Sequence, residues 1–139
     1  MTPLHTSTVT AKGGREGFVR SENGVIDLPL TMPKALGGKG QGQGTNPEEL
    51  FAAGYAACFE SAIRLVARQR DIELGDVAVT AEVSIGKEGD GFALAARIRG
   101  RLPGMDRARA EELMQLADAA CPYSKATRGN LPVELVVEG

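Results

Sequence analysis

Two cysteines, Cys58 and Cys121, carry the widest chemical reach in this chain. A thiolate can open a peroxide O–O bond, and the sulfenic acid it leaves can condense with a second thiol to a disulfide. The single histidine, His5, sits in the first few residues, which leaves Cys/His and Ser/His/Asp nucleophile arrangements without support. A structural zinc site wants four ligands, mostly Cys and His, and the chain offers at most three, widely scattered. The cysteines are also too far apart for a local Cys-x-x-Cys motif. In a reducing compartment a persistent structural disulfide is not expected. The pair therefore points to redox chemistry, or alternatively to inert cysteines acting as small hydrophobes.

If Cys58 is activated, a cation other than histidine must do it. Arginine suits the task, because it stays charged and presents a rigid fork of donors that a carboxylate can hold in one orientation. Arg64 and Arg68 follow Cys58 closely, whereas Arg15 lies in a distant Gly13-Gly14-Arg15 turn. Residue spacing does not choose among the three, and Glu60 to Arg64 has the spacing of an ordinary helical ion pair.

The elements that must position these residues read as follows. Thr6–Ala11 and Gly17–Leu30 have strand character, with Asn23-Gly24 as a two-residue hairpin turn. The glycine-rich stretch Leu36–Gly44 lacks the Gly-Lys-Ser/Thr ending of a phosphate loop and reads as a flexible connection. A helix then starts at Asn46-Pro47-Glu48-Glu49: Asn46 as N-cap, Pro47 in the first helical position and Glu49 closing a capping box. Glu48 is left without a capping duty, free to orient an arginine. From Leu50 to Phe59 the helix is uncharged on every side, as in a helix surrounded by protein. Phe51, Tyr55, Cys58, Ala62 and Leu65 fall on one stripe.

Cys58 lies about three turns into this helix, beyond reach of the macrodipole, and apolar neighbours would raise its pKa. The apolar surroundings, with Phe51 and Tyr55 as candidate substrate contacts, favour a hydrophobic ligand. Val77–Ile85 and Phe92–Leu102 alternate as a second hairpin around Gly89-Asp90-Gly91. Asp106 can cap a helix over Arg107–Ala120 whose Leu113, Leu116, Ala117 and Ala120 share a face, with Pro122 marking its end. Cys121, at the carboxyl end of that helix, is the less activated thiol and suits a resolving role. Leu131–Val137 reads as a closing strand. Strands, helix, hairpin, helix, strand is an α+β order, with two antiparallel sheet regions around a central buried helix.

At 139 residues the chain reads as one domain, 1–139. A net charge of -2 and scattered aromatics argue against nucleic acid as a partner. The absence of a signal-like start or a long uncharged apolar run argues for a cytoplasmic protein without a membrane span. So apolar a helix is hard to cover in so short a chain, which predicts a homodimer.

The segments FAAGYAACF around Cys58 and CPYSKATRGN from Cys121 to Asn130 resemble the two signatures of the organic hydroperoxide resistance (Ohr) family, within the OsmC/Ohr proteins. Gly13-Gly14-Arg15, Leu36-Gly37-Gly38 and GTNPEELFAAGY from Gly44 to Tyr55 extend the resemblance over essentially the whole chain. It implies an intertwined homodimer with the OsmC/Ohr-like fold and a peroxidase acting on alkyl and fatty-acid hydroperoxides. It further implies Cys58 as the peroxidatic thiol, Cys121 as the resolving thiol, Arg15 as the activating cation and Glu48 as its carboxylate partner. No bound cofactor is implied; the expected reductant is an external dithiol, dihydrolipoamide or a lipoylated protein. The alternatives are an OsmC-type peroxidase, a thiol redox sensor, or a small structural or ligand-binding dimer with inert cysteines.

Overall fold

Local turn chemistry sets the first strands. In this computed structural model, which describes residues 1–138, β1 (Val9–Lys12), β2 (Phe18–Ser21) and β3 (Asp27–Pro29) form a three-stranded antiparallel sheet. The β2–β3 connection is longer than the expected two-residue turn, with Arg20 opposite Asp27 as the last pair. Two side chains override the Asn-Gly preference: Asn23 accepts the Val25 amide at 3.1 Å, and Ser21 Oγ accepts the Ile26 amide at 2.9 Å. These bonds close a wider turn in the manner of Asx and ST turns. The glycine-rich stretch is tied at its end, since Leu30 bridges Thr45 and the Gly44 amide donates to Thr31 Oγ1 at 2.9 Å.

The chain divides into two compact units, Met1–Leu50 and Phe51–Gly139. α1 (Pro47–Gln69) starts in the first, and from Phe51 onward it belongs to the second. There it meets β4 (Ala78–Glu88), β5 (Gly91–Arg101), α2 (Arg107–Ala120), α3 (Pro122–Thr127) and β6 (Val133–Val137). β4 and β5 pair as an eleven-residue hairpin from Ala78↔Arg101 to Glu88↔Gly91. β6 lies beside β5 in parallel, so this sheet is mixed rather than antiparallel throughout. Two helices intervene between β5 and β6 and supply the long crossover that a parallel pair requires. The architecture is α+β, with one sheet in each unit and the long helix α1 between them in chain order.

Phe59, Ile63 and Val66 of α1, Ile98 and Leu102 of the β5 segment, and Leu113, Met114 and Ala117 of α2 form the core of the second unit. The buried faces differ from those expected. On α1 the buried side is Tyr55, Phe59, Ala62, Ile63, Val66 and Ala67; Leu65 is 39% exposed and Cys58 sits at the margin. On α2, Ala110 and Met114 join Leu113 and Ala117 inside, whereas Leu116 is half-buried and Ala120 exposed. α1 is also long and apolar enough, by length and composition, to cross a membrane. Glu60 and Arg64 break up its apolar run and hid this in the sequence; the buried side identifies it as a core helix of its unit.

α2 begins and ends where expected. Asp106 accepts the Arg109 amide at 2.8 Å, and Pro122 closes the helix but also opens α3, since proline serves equally well at a helix start. Removing this cap in Asp106→Ala is expected to lower the unfolding free energy by about 1 kcal/mol, read by urea denaturation at fixed protein concentration. An unchanged midpoint would show that the cap contributes nothing.

Candidate functional site

Cys121 occupies the one residue between α2 and α3, with extended backbone (φ -75, ψ 121). Its amide still closes the last turn of α2 on the Ala117 carbonyl, and its own carbonyl accepts the Lys125 amide of α3. Fixed from both sides, its thiol points at α1 and donates to Cys58 Sγ at 3.4 Å. Both cysteines are free thiols. Cys121 is 1% exposed, while Cys58 is half-buried, so only Cys58 is open to a solute. Burial pushes the Cys58 thiol above its ordinary value, the Tyr123 backbone amide opposes that, and the neighbouring Cys121 thiol adds to the rise. Within its own unit Cys58 is thus a poor nucleophile at neutral pH.

The first unit holds the other predicted pair. Asn46 Oδ1 accepts the Glu49 amide at 2.8 Å, as an N-cap should. Glu49 does not complete the box on the Asn46 amide; its carboxylate instead accepts the Thr45 hydroxyl at 2.6 Å. Glu48 is therefore free, and both of its oxygens accept from Arg15, Nη1 to Oε2 and Nη2 to Oε1, each at 2.8 Å. This fork-to-fork geometry fixes the guanidinium plane as well as its position. The Arg15 hydrogen bonds hold the Glu48 carboxyl below the usual carboxylate range against the opposing effect of burial, and Glu48 raises the Arg15 pKa in turn. Arg15 sits in a 3-10 turn, Gly14–Glu16, entered through Gly13 at φ 82 and Gly14 at φ 62. A side chain at Gly17 would overlap the Lys12 carbonyl, so the loop closes only with glycine there. Of the other arginines considered, Arg64 pairs with Glu60 at 2.5 Å on the surface and Arg68 is exposed.

Phe51 and Tyr55 take different positions. Phe51 is half-buried and packs edge-on against Tyr55 (6.1 Å between centroids) and Tyr123 (6.2 Å). With Leu94, Tyr123, Ala126 and Leu131 it lines a mostly apolar groove of about 520 Å³. Tyr55 is completely buried behind these rings, its hydroxyl 2.8 Å from Ser124 Oγ. It presents no surface to a ligand in the single chain. Tyr123, Leu94 and Leu131 were not singled out from the sequence. One signal for Tyr123 was available in Gly54, where an added Cβ would lie 2.7 Å from the Tyr123 hydroxyl; glycine in mid-helix marks a close approach.

Residues 40–136 match the model of the OsmC-like protein family. The chain is 47% identical, over 135 residues, to the organic hydroperoxide resistance protein of Xanthomonas axonopodis pv. citri, covering 96% of this chain and 94% of that protein. It is 48% identical, over 135 residues, to the organic hydroperoxide resistance protein OhrB of Bacillus subtilis, covering 95% and 96% of the two chains. The crystal structure of an organic hydroperoxide resistance protein from Legionella pneumophila superposes with a TM-score of 0.92 at 47% identity, over 99% of this chain and 100% of that one. On the family match and these full-length similarities, the chain belongs to the OsmC-like family and, within it, to the organic hydroperoxide resistance proteins.

Proposed function

We propose that this protein is a cysteine peroxidase that reduces alkyl and fatty-acid hydroperoxides to alcohols. The observation that carries the reading is the contact of one half-exposed and one buried free thiol at 3.4 Å. Cys58 thiolate attacks the distal peroxide oxygen, the O–O bond breaks, and the alkoxide takes a proton to leave as the alcohol. The Cys58 sulfenic acid then condenses with the Cys121 thiol, releasing water and forming the disulfide. An external dithiol, a dihydrolipoyl group free or carried on a lipoylated protein, returns both thiols by exchange. Arg15, oriented by Glu48, is the cation that lowers the Cys58 pKa and steadies the developing alkoxide; this role rests on the family resemblance together with the two-pronged ion pair.

The groove beside Phe51 and Tyr123 suits a hydrocarbon chain. A cytoplasmic setting, where thiols stay reduced, suits the cycle. The working species is a homodimer. In the single chain Ala53, Ala57, Ser61 and Leu65 of α1 are exposed at four-residue spacing, and a second copy covers such a face more readily than solvent does. Light scattering at micromolar concentration is expected to give twice the chain mass; a monomer would overturn this part of the reading.

A redox sensor with the same thiols is the second reading, favoured by the same sulfur contact. Turnover separates the two. With linoleic hydroperoxide and a dihydrolipoyl dithiol, wild type is expected to turn over repeatedly, Cys58→Ser not at all, and Cys121→Ser to consume one equivalent of peroxide and stall. Burying two methylenes at about 0.8 kcal/mol each already gives about a tenfold preference over hydrogen peroxide in kcat/KM. Equal kcat/KM values would remove the groove from the reading. Equal turnover by both cysteine variants would remove the two-thiol cycle.

The ion pair makes a pH prediction. Glu48 has a folded pKa below its unfolded value, so its stabilisation is fully present above the unfolded value, about 4.3, and is lost as pH falls through the folded one. The stability difference between wild type and Glu48→Gln is therefore expected to stay constant from pH 8 to pH 5 and to shrink below about pH 4. A difference that grows on acidification would contradict the pairing.

A further inference from the structure

We infer that Tyr55 is a positioning residue for disulfide formation, clasping the segment that carries Cys121 onto the helix that carries Cys58. This deepens the peroxidase reading and rests on it only for the resolving step. Tyr55 lies one helical turn before Cys58 on α1; Ser124 and Thr127 lie on α3, which starts directly after Cys121. The three side chains are 0%, 2% and 5% exposed. Tyr55 Oη is 2.8 Å from Ser124 Oγ and 3.4 Å from Thr127 Oγ1, and the Thr127 hydroxyl donates to the Ser124 carbonyl at 3.1 Å.

With its proton committed to that carbonyl, Thr127 can only accept toward Tyr55. The bonds then run in one direction, Ser124 hydroxyl to Tyr55, Tyr55 to Thr127, Thr127 to the Ser124 carbonyl, and every hydroxyl proton has an acceptor. Three apolar side chains could fill this space, but apolar contact is non-directional, whereas hydrogen bonds fix distance and angle. The clasp therefore sets the register of α3 on α1, and with it the 3.4 Å gap between the sulfurs. That gap must close to about 2.05 Å in the disulfide. Misplacement by about 1 Å at a reacting pair can cost about a hundredfold in rate.

In the resolving step Cys121 sulfur attacks the Cys58 sulfenyl sulfur; the S–S bond forms, the S–O bond breaks, and hydroxide leaves with the thiol proton as water. Both electrons have already passed to the peroxide, so this step involves no external oxidant. Its geometry can also be tested without peroxide, by exchange with glutathione disulfide: the two protein thiols give two electrons and two protons, and two molecules of glutathione are released per disulfide formed.

The experiment is a glutathione redox titration of the full-length wild type, Tyr55→Phe, Ser124→Ala and Ser124→Thr, with Asp106→Ala as a variant weakened elsewhere in the same unit. Tyr55→Phe and Ser124→Ala are expected to lower the equilibrium constant for the Cys58–Cys121 disulfide about tenfold or more. Ser124→Thr, which keeps the hydroxyl, and Asp106→Ala are expected to retain it. Wild-type constants in both Tyr55→Phe and Ser124→Ala, or an equal drop in Asp106→Ala, would overturn the clasp. A parallel single-turnover reaction with cumene hydroperoxide is expected to form sulfenic acid at the wild-type rate in Tyr55→Phe and to convert it to disulfide about tenfold more slowly. Conversion at the wild-type rate would again overturn the clasp. If wild type forms no sulfenic acid, the peroxidase reading fails, and the glutathione titration still decides the role of Tyr55.

Discussion

A thiol can attack only as an anion, and Cys58 sits where an anion is disfavoured. Its half-buried position beside an apolar core and a second thiol pushes its pKa up, with a single backbone amide pulling the other way. Most of what is distinctive in the chain can be read as a response to this conflict. The apolar surroundings suit a hydrocarbon ligand, but they would leave an inert thiol in the absence of a fixed positive charge. The proposed source is Arg15: a guanidinium does not lose its proton under burial, and within its own unit Glu48 fixes its orientation through two bonds of equal length.

The two thiols are placed by different means. Cys58 rides on a 23-residue helix whose other side is core, so its position is set by packing. Cys121 is held by a break between two helices, each of which bonds to it once, so its position is set by backbone hydrogen bonds and by the Tyr55–Ser124 contact across to α1. The pair thus combines a half-buried sulfur on a rigid element with a fully buried one at a joint, and the joint is where a shift of an ångström or so on disulfide formation would be absorbed.

Much of this was legible in the sequence, for local reasons. The Asn46 cap, the free Glu48, the span of α2 between Asp106 and Pro122, and the β4–β5 hairpin all follow from signals within a few residues of one another. The misread features depend on longer range. The direction of β6 depends on where α2 and α3 carry the chain, and α3 was hidden because Pro122 reads as a stop as readily as a start. The buried faces of α1 and α2 are set by their partners, so Phe59, Ile63 and Met114 face inward where periodicity favoured Leu65 and Ala120. At the candidate site, residue chemistry points to Cys58, Cys121 and Glu48 as candidates, whereas only the family resemblance prefers Arg15 to Arg64 and Arg68. Tyr55 was legible as a neighbour of Cys58, but its hydroxyl partners lie 69 and 72 residues away, beyond any local pattern.

The conflict between burial and charge at Cys58 can be measured directly by following thiolate absorbance with pH in reduced wild type and in Arg15→Gln. If Arg15 is the activating cation, Cys58 titrates below the ordinary cysteine value of about 8.5 in wild type and above it in the variant. Superimposable titration curves would contradict that role and leave Cys58 as a buried thiol without a cation.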